Sequence, residues 1–148
     1  MDTSTRALEL AQALRRIERF NRINQYDPYP YQQKFHKTGS EANQRLLMAA
    51  NRIGKSFSGA AEMSYHLTGI YPDWWEGRRY YQPITAWAGG VSNETTRDIV
   101  QFELLGSPDD PDAFGSGAIP KSKIIKTERK PGVPNAKSVA LIQHVSGG

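Results

Sequence analysis

The sequence contains no cysteine among its 148 residues, which excludes disulfide frameworks and thiolate metal sites. It has no uninterrupted apolar stretch near the roughly 20 residues that a membrane span needs. We therefore expect no signal peptide, no membrane contact and a cytoplasmic location. The three histidines, His36, His66 and His144, are far apart and lack metal-ligand spacing, so we expect no metal site built from protein ligands alone.

The charge balance is mildly basic. Nineteen lysines and arginines face 15 acidic residues, which gives a formal net charge of +4. An acidic partner such as DNA or a nucleotide is compatible with this charge. From charge alone, however, an ordinary solvated surface is the better explanation. The length allows one domain with its own core.

Apolar periodicity predicts a mixed α/β chain. Helices are expected over 4–24, 31–37, 55–67 and about 93–105, the last capped by Ser92 or Asn93. Strands are expected over 45–50, 85–88, 123–127 and 138–145, with an ordered aromatic loop at 70–83 and a surface loop at 106–118. The order of strand, glycine-containing turn, helix and strand predicts an α/β sheet with flanking helices. We divide the chain into an N-terminal helical segment, 1–26, and an incomplete α/β domain, 27–148.

The segment 49–56 has the pattern of a phosphate-binding P-loop, with Ala49 in place of the usual first glycine. Gly54 lets the backbone approach phosphate, Lys55 supplies a mobile positive charge, and the Ser56 hydroxyl is placed to hold Mg²⁺. Arg52 lies in the same loop and is a second catalytic candidate beside Lys55. ATP and Mg²⁺ are therefore the expected cofactors. The expected nucleotide-contacting residues are Ala49, Ala50, Asn51, Arg52, Ile53, Gly54, Lys55, Ser56 and Phe57. The alternative is a tight strand-to-helix turn with a cationic cap and no ligand.

Five segments resemble the large terminase subunit of tailed bacteriophages, the ATPase that drives viral DNA into a procapsid and then cuts it. The segments are 28–36, 48–56, 66–79, 86–90 and 117–121. The most distinctive of them is Tyr-Pro-Asp-Trp-Trp-Glu-Gly-Arg-Arg at 71–79. The resemblance covers the chain from about residue 26 onwards.

The resemblance implies a fold and a set of roles. The fold is a partial P-loop NTPase sheet of the additional-strand, RecA/helicase-like type, preceded by an N-terminal helix. Residues 27–148 would then be an incomplete P-loop ATPase domain. Gln32 occupies the place of the family's adenine-binding glutamine, and an amide that both donates and accepts suits an adenine edge. Arg52 would sense the γ-phosphate, one position from the usual site. The implied partners are ATP, double-stranded phage DNA, the terminase small subunit and the portal, and the implied location is the host cytoplasm and the procapsid vertex.

The resemblance also implies a second acidic motif, an apolar strand ending in Asp-Glu, which we do not find. Val139–Ile142 leads into Gln143, and Leu105 leads into Gly106. We therefore expect an N-terminal fragment that ends before this motif and before the nuclease domain. Such a fragment would bind ATP with weak or no hydrolysis, and whether it is an enzyme stays open.

Two alternatives remain. One is another P-loop ATPase, such as a helicase-like translocase or a small-molecule kinase, and the other is a non-catalytic DNA- or subunit-binding prophage remnant. The aromatic segment containing Trp74 and Trp75 also has two interpretations. It could stack on single-stranded DNA, but packing of a long loop onto the core is the favoured one.

Overall fold

The computed structural model describes residues 2–148 and combines helices with one two-stranded sheet. Its regular elements, in chain order, are α1 (Thr3–Arg19), a 3₁₀ turn (Arg22–Gln25), α2 (Pro30–Thr38), α3 (Lys55–Thr68), α4 (Asn93–Thr95), a π-helical turn (Thr96–Gln101), α5 (Phe102–Leu105), 3₁₀ turns (Pro111–Ala113 and Lys121–Lys123), β1 (Ile124–Arg129) and β2 (Lys137–Ile142). Within residues 2–148, no helix combines the length and apolar character that crossing a membrane requires.

Helix α3 is the centre of the fold, and it confirms the helix predicted at 55–67. Gly54 with φ +79° precedes it and Gly69 with φ +70° ends it, both in the left-handed conformation that glycine adopts without strain. Its small side chains allow close contact with neighbouring elements. Ala61 is fully buried, and Ala60 and Tyr65 beside it are nearly so. This helix therefore supplies the largest part of the core.

The aromatic loop at 70–83 packs against α3. Trp75 is only 4% exposed, and its indole Nε1 donates to the carbonyl of Arg78 at 3.0 Å. The ring lies edge-on to Tyr65, with 5.3 Å between the ring centroids, and 5.8 Å from the ring of Trp74. These contacts support the packing interpretation of the tryptophans over the DNA-stacking one.

The N-terminal helix is shorter than predicted. Helix α1 ends at Arg19 rather than at residue 24, because Asn21 turns back and its side-chain amide donates to the carbonyl of Ile17 at 2.8 Å. A 3₁₀ turn follows, and Ile23 within it is the first of the described residues to enter the core. Helix α1 itself buries no residue.

The helix predicted at 93–105 is confirmed as the continuous run of α4, the π-helical turn and α5. Ser92 caps it, since its Oγ accepts from the amide of Thr95 at 3.1 Å. The surface-loop prediction for 106–118 is wrong in part. The loop folds back over the end of α5, where the amides of Gly115 and Ala118 donate to the carbonyls of Leu105 and Glu103, each at 2.7 Å. Ala118 is consequently buried.

The strand predictions have two outcomes. The strands expected near 123–127 and 138–145 are confirmed as β1 and β2, which pair antiparallel. The strands expected at 45–50 and 85–88 are wrong, because neither segment pairs with another strand in residues 2–148. A strand is stable only when a neighbour takes its backbone hydrogen bonds. Without one, Met48 and Trp87 stay 83% and 93% exposed.

Candidate functional site

The candidate site is the loop that leads into α3. Two of its residues have positive φ, Arg52 at 62° and Gly54 at 79°. Gly54 is the N-cap of α3 and carries no side chain, so no side chain caps the first amides of the helix. The first main-chain bond of the helix runs from the amide of Ser58 to the carbonyl of Gly54 at 2.9 Å. The amides before it lack helical partners and are suited to an anionic ligand.

The Lys55 side chain folds back into the loop. Its Nζ donates to the carbonyl oxygens of Ala49 and Ala50, both at 2.5 Å. The positive charge is thus held at the centre of the loop by main-chain oxygens. Phosphate oxygens could replace these carbonyls as acceptors, since an ammonium group donates to either.

Helix α2 holds the far side of the loop. The Tyr31 hydroxyl donates to the carbonyl of Ile53, and Gln32 Nε2 donates to the carbonyl of Gly54 at 3.3 Å. Gln32 is 3% exposed, and its Oε1 accepts from the amide of Tyr29 at 2.8 Å, which ties it to the start of α2. Both ends of the Gln32 amide therefore bond to the backbone. The structure places Gln32 beside the loop, but both polar atoms of its side chain already bond to the protein backbone.

A buried ionic cluster joins the chain on both sides of the loop. Arg45, which precedes the loop, donates through both Nη atoms to the carboxylate of Glu62 in α3. His36 Nδ1 of α2 lies 2.7 Å from Glu62 Oε2, and His66 Nε2 lies 3.4 Å from Glu62 Oε1. Arg45 also donates to the carbonyl of Phe35 at 2.7 Å. The two chain segments that flank the loop are thus fixed to each other and to α2.

The ionisation of Glu62 follows from this cluster. Burial alone would raise its pKa, but hydrogen bonds from His36, His66 and Arg45 outweigh that effect. The net result is a pKa well below the usual glutamate value, so the carboxylate is charged at neutral pH. On the other ring edge of His36, Nε2 lies 3.0 Å from the Tyr26 hydroxyl and 3.2 Å from Ser58 Oγ. Burial raises the pKa of Tyr26, which keeps its hydroxyl protonated as a donor.

The remaining predicted residues differ in surroundings. Asn51, Arg52 and Ser56 are exposed, whereas Ile53 is half-buried. Phe57 points away from the loop, beneath the guanidinium of Arg22 at 4.1 Å.

A groove beside the loop is lined in part by Ser56. It has a volume of about 350 Å³ and lies between α3 and the α4–α5 run, with Ser56, Trp87 and Glu103 among its lining residues. Glu103 also pairs with Arg22 at 3.4 Å. The groove therefore has an apolar floor and one carboxylate.

Sequence reasoning missed three residues that set the geometry of the loop. Arg45, Glu62 and Tyr31 were not among the predicted site residues, yet each contacts the loop or its flanking segments. One signal was present in the sequence. Glu62 lies four residues after Ser58 and three before Tyr65, on the buried side of a helix, where a lone charge implies a partner.

Comparison with known proteins identifies the family. Residues 46–148 match the family model described as terminase large subunit, T4likevirus-type, N-terminal. The chain is also 36% identical over 152 aligned residues to the terminase large subunit of Salmonella phage P22. That alignment covers 93% of this chain and 30% of the phage protein. No solved structure matches.

The chain thus belongs to the phage terminase large-subunit family, as its sequence motifs predicted. It spans about 30% of the length of the P22 relative. The family match begins at residue 46, shortly before the candidate loop at 49–56, and the wider alignment with the P22 protein extends the likeness over most of the chain.

Proposed function

We propose that residues 49–56 bind the phosphates of Mg-ATP, and that the chain belongs to the motor ATPase that packages phage DNA. One observation carries the nucleotide assignment. The Lys55 ammonium lies inside the loop against the carbonyls of Ala49 and Ala50, next to the uncapped first turn of α3. A cation and free amides around one concave backbone suit a polyphosphate.

The individual roles follow from position. Lys55 would transfer its hydrogen bonds from the loop carbonyls to phosphate oxygens, and the first amides of α3 would bind the same anion. Mg²⁺, when bound with ATP, would neutralise phosphate charge, with the exposed Ser56 hydroxyl as its protein ligand. Arg52 is exposed beside Gly54 and would reach the outermost phosphate. We propose that the loop belongs to an α/β domain of the P-loop NTPase class.

Calorimetry with Mg-ATP tests the phosphate assignment. Lys55→Ala should weaken binding tenfold or more, because it removes the only cation held inside the loop of the described chain. Lys34→Ala is the matched control, since Lys34 is an exposed lysine on α2. Equal affinities of wild type and Lys55→Ala would refute the assignment.

A nucleotide comparison separates two roles for Gln32. If Gln32 exchanges its backbone bonds for adenine, Gln32→Ala should lower ATP affinity more than GTP affinity. If it only holds the carbonyl of Gly54, both nucleotides should weaken equally. Retained preference for ATP at lower affinity would therefore exclude adenine recognition and leave the positioning role.

We further propose that this chain alone hydrolyses ATP weakly or not at all, since none of its predicted strands ends in an Asp-Glu pair. Turnover should stay near background with Mg²⁺ and DNA present. Robust turnover would instead indicate a general base among these residues, for which Glu103 in the groove beside Ser56 is the first to test. DNA, a terminase small subunit and a portal are proposed partners of the whole protein.

A further inference from the structure

The positive charge of the chain is concentrated in one segment. Residues 121–137, from the turn before β1 to the start of β2, contain six lysines and arginines and one glutamate. Their net charge of +5 exceeds the +4 of the whole chain, so the other residues together are slightly acidic. The six cations are Lys121, Lys123, Lys126, Arg129, Lys130 and Lys137. The segment that forms the hairpin of β1 and β2 is therefore strongly basic.

Like charges face each other on this hairpin. Arg129 and Lys137 are direct cross-strand partners, and Lys130 is adjacent to Arg129. Opposed like charges destabilise a strand pair. Within residues 2–148, the one salt bridge on the hairpin joins Lys126 to Glu128 at 3.0 Å, and none involves Arg129, Lys130 or Lys137. The fold thus holds three cations together at the hairpin end without a neutralising acid.

The hairpin is held in place by its neighbour. The side chain of Gln101 accepts from the amide of Lys137 at 2.8 Å and donates to the carbonyl of Asn135 at 2.9 Å. The acids near the turn are already engaged, since Asp98 pairs with Arg97 and Asp109 accepts from Asn135. Gln101 therefore fixes the backbone at the end of the hairpin, where Arg129 is exposed and Lys130 and Lys137 are half-buried.

We propose that the β1–β2 hairpin contacts the phosphates of duplex DNA, with Arg129, Lys130 and Lys137 as the principal contacts. Strand β1 has six residues and extends about 20 Å, a length that matches several successive phosphates of a DNA strand. A two-stranded ribbon also has the width that the major groove accepts. The choice of duplex DNA rests on the proposed packaging function, whereas the need for a polyanion follows from the charges alone.

Fluorescence anisotropy with a labelled 30-base-pair duplex of arbitrary sequence tests the proposal on the 148-residue chain. Binding should weaken roughly 100-fold between 50 and 200 mM salt, as expected for about four phosphate contacts. The variant Arg129→Gln/Lys130→Gln/Lys137→Gln should lose tenfold or more in affinity at 100 mM salt. Its log–log salt slope should become shallower by about 3.

A matched variant controls for net charge. Arg6→Gln/Arg15→Gln/Arg16→Gln removes the same three charges from exposed positions of α1. Its affinity should stay within twofold of wild type. Equal losses in the two triple variants would overturn the proposal, since they would show diffuse attraction without a defined surface.

A single substitution separates binding from folding. Lys137→Glu places opposite charges across the strand pair, so its melting temperature should rise while its DNA affinity falls. A purely structural role for Lys137 would move both in the same direction, and that result would contradict the proposal.

Two further outcomes are decisive. Failure of the folded wild-type chain to bind duplex, or competition by polyglutamate as effective as by unlabelled duplex, would overturn the assignment to DNA. Binding that depends on the hairpin in a chain that does not bind Mg-ATP would leave this inference standing while refuting the nucleotide site.

Discussion

Helices α1 and α3 look alike as isolated helices but differ completely in their surroundings. Helix α1 has 17 residues and buries none, whereas α3 has 14 residues and buries seven. Leu10 and Leu14 of α1 are 62% and 51% exposed, while Ala61 of α3 is fully buried. The spacing of apolar residues therefore predicts which side of a helix can be buried, but not whether another element packs against that side.

The difference lies in the side chains that face the neighbours. Ala60, Ala61 and Ser64 are small enough for α3 to approach the aromatic loop and the 3₁₀ turn closely. Once α3 is surrounded, its one inward carboxylate, Glu62, must be paired, and Arg45 and His36 pair it. Equivalent substitutions in the two helices should consequently have very different effects.

The largest difference is expected for glutamate removal. Glu62→Ala should lower the free energy of unfolding by about 3 kcal/mol or more, because it leaves Arg45 without its counter-charge and His36 without its hydrogen-bond partner. Glu9→Ala on α1 is the control and should change it by less than about 0.5 kcal/mol. Urea unfolding of both variants measures the contrast, and similar losses would show that the Glu62 cluster contributes no more than a surface pair.

Acid titration tests the charge of the Glu62 cluster while a side chain of similar size stays in place. Because the folded-state pKa of Glu62 is lowered, its contribution is complete above the ordinary value of 4.5 and is lost as pH falls towards the folded pKa. The advantage of wild type over Glu62→Gln should shrink by up to about 2 kcal/mol between pH 4.5 and about pH 3. An advantage that stays constant over this range would contradict the lowered pKa.

The next largest difference in stability is expected when an alanine of each helix is replaced by a larger residue. Ala61→Leu should destabilise by about 1 to 2 kcal/mol, because a larger side chain at a fully buried position must displace its neighbours. Ala13→Leu makes the same change at an exposed position of α1 and should be close to neutral. Thermal melts of the pair provide the comparison, and a neutral Ala61→Leu would mean that the core around α3 is loosely packed.

The smallest effect concerns a single hydroxyl. Tyr26→Phe removes a donor that lies 3.0 Å from both Ser58 Oγ and His36 Nε2, and should cost about 1 kcal/mol. Tyr81→Phe, at a residue that is 76% exposed, should cost almost nothing. If the two variants have the same melting temperature, the Tyr26 hydroxyl is not part of the network that supports α3.

Local patterns predicted the elements whose bonding is local. The helix at 55–67 is framed by Gly54 and Gly69, and Ser92 caps the helix that follows it; both appear as expected. The hairpin of β1 and β2 appears because its two strands are close in sequence and pair with each other. The strands at 45–50 and 85–88 could not be judged from their own residues, because a strand depends on partners elsewhere in the chain.

The candidate site also combines features that local sequence predicts with features that depend on tertiary contacts. The pattern at 49–56 identified Gly54 and Lys55, and the structure places the Lys55 ammonium within the loop. The residues that hold the loop in shape were not predicted. Tyr31 contacts Ile53 across 22 residues and Arg45 contacts Glu62 across 17, and these contacts form only after α2 and α3 have packed. Gln32 was predicted to lie at the site, but the engagement of both ends of its amide is a tertiary feature.

The sequence by itself determined the family, the phosphate-loop pattern, the bounds of α3 and the cations of the hairpin, because each of these depends on residue types at short spacing. Tertiary structure decided that α3 is buried while α1 is exposed, that Glu62 joins Arg45 and His36, and that Arg129 faces Lys137. These outcomes depend on which segments meet in space. The desolvation of a buried charge and the repulsion between like charges arise only when the folded chain brings these residues close together.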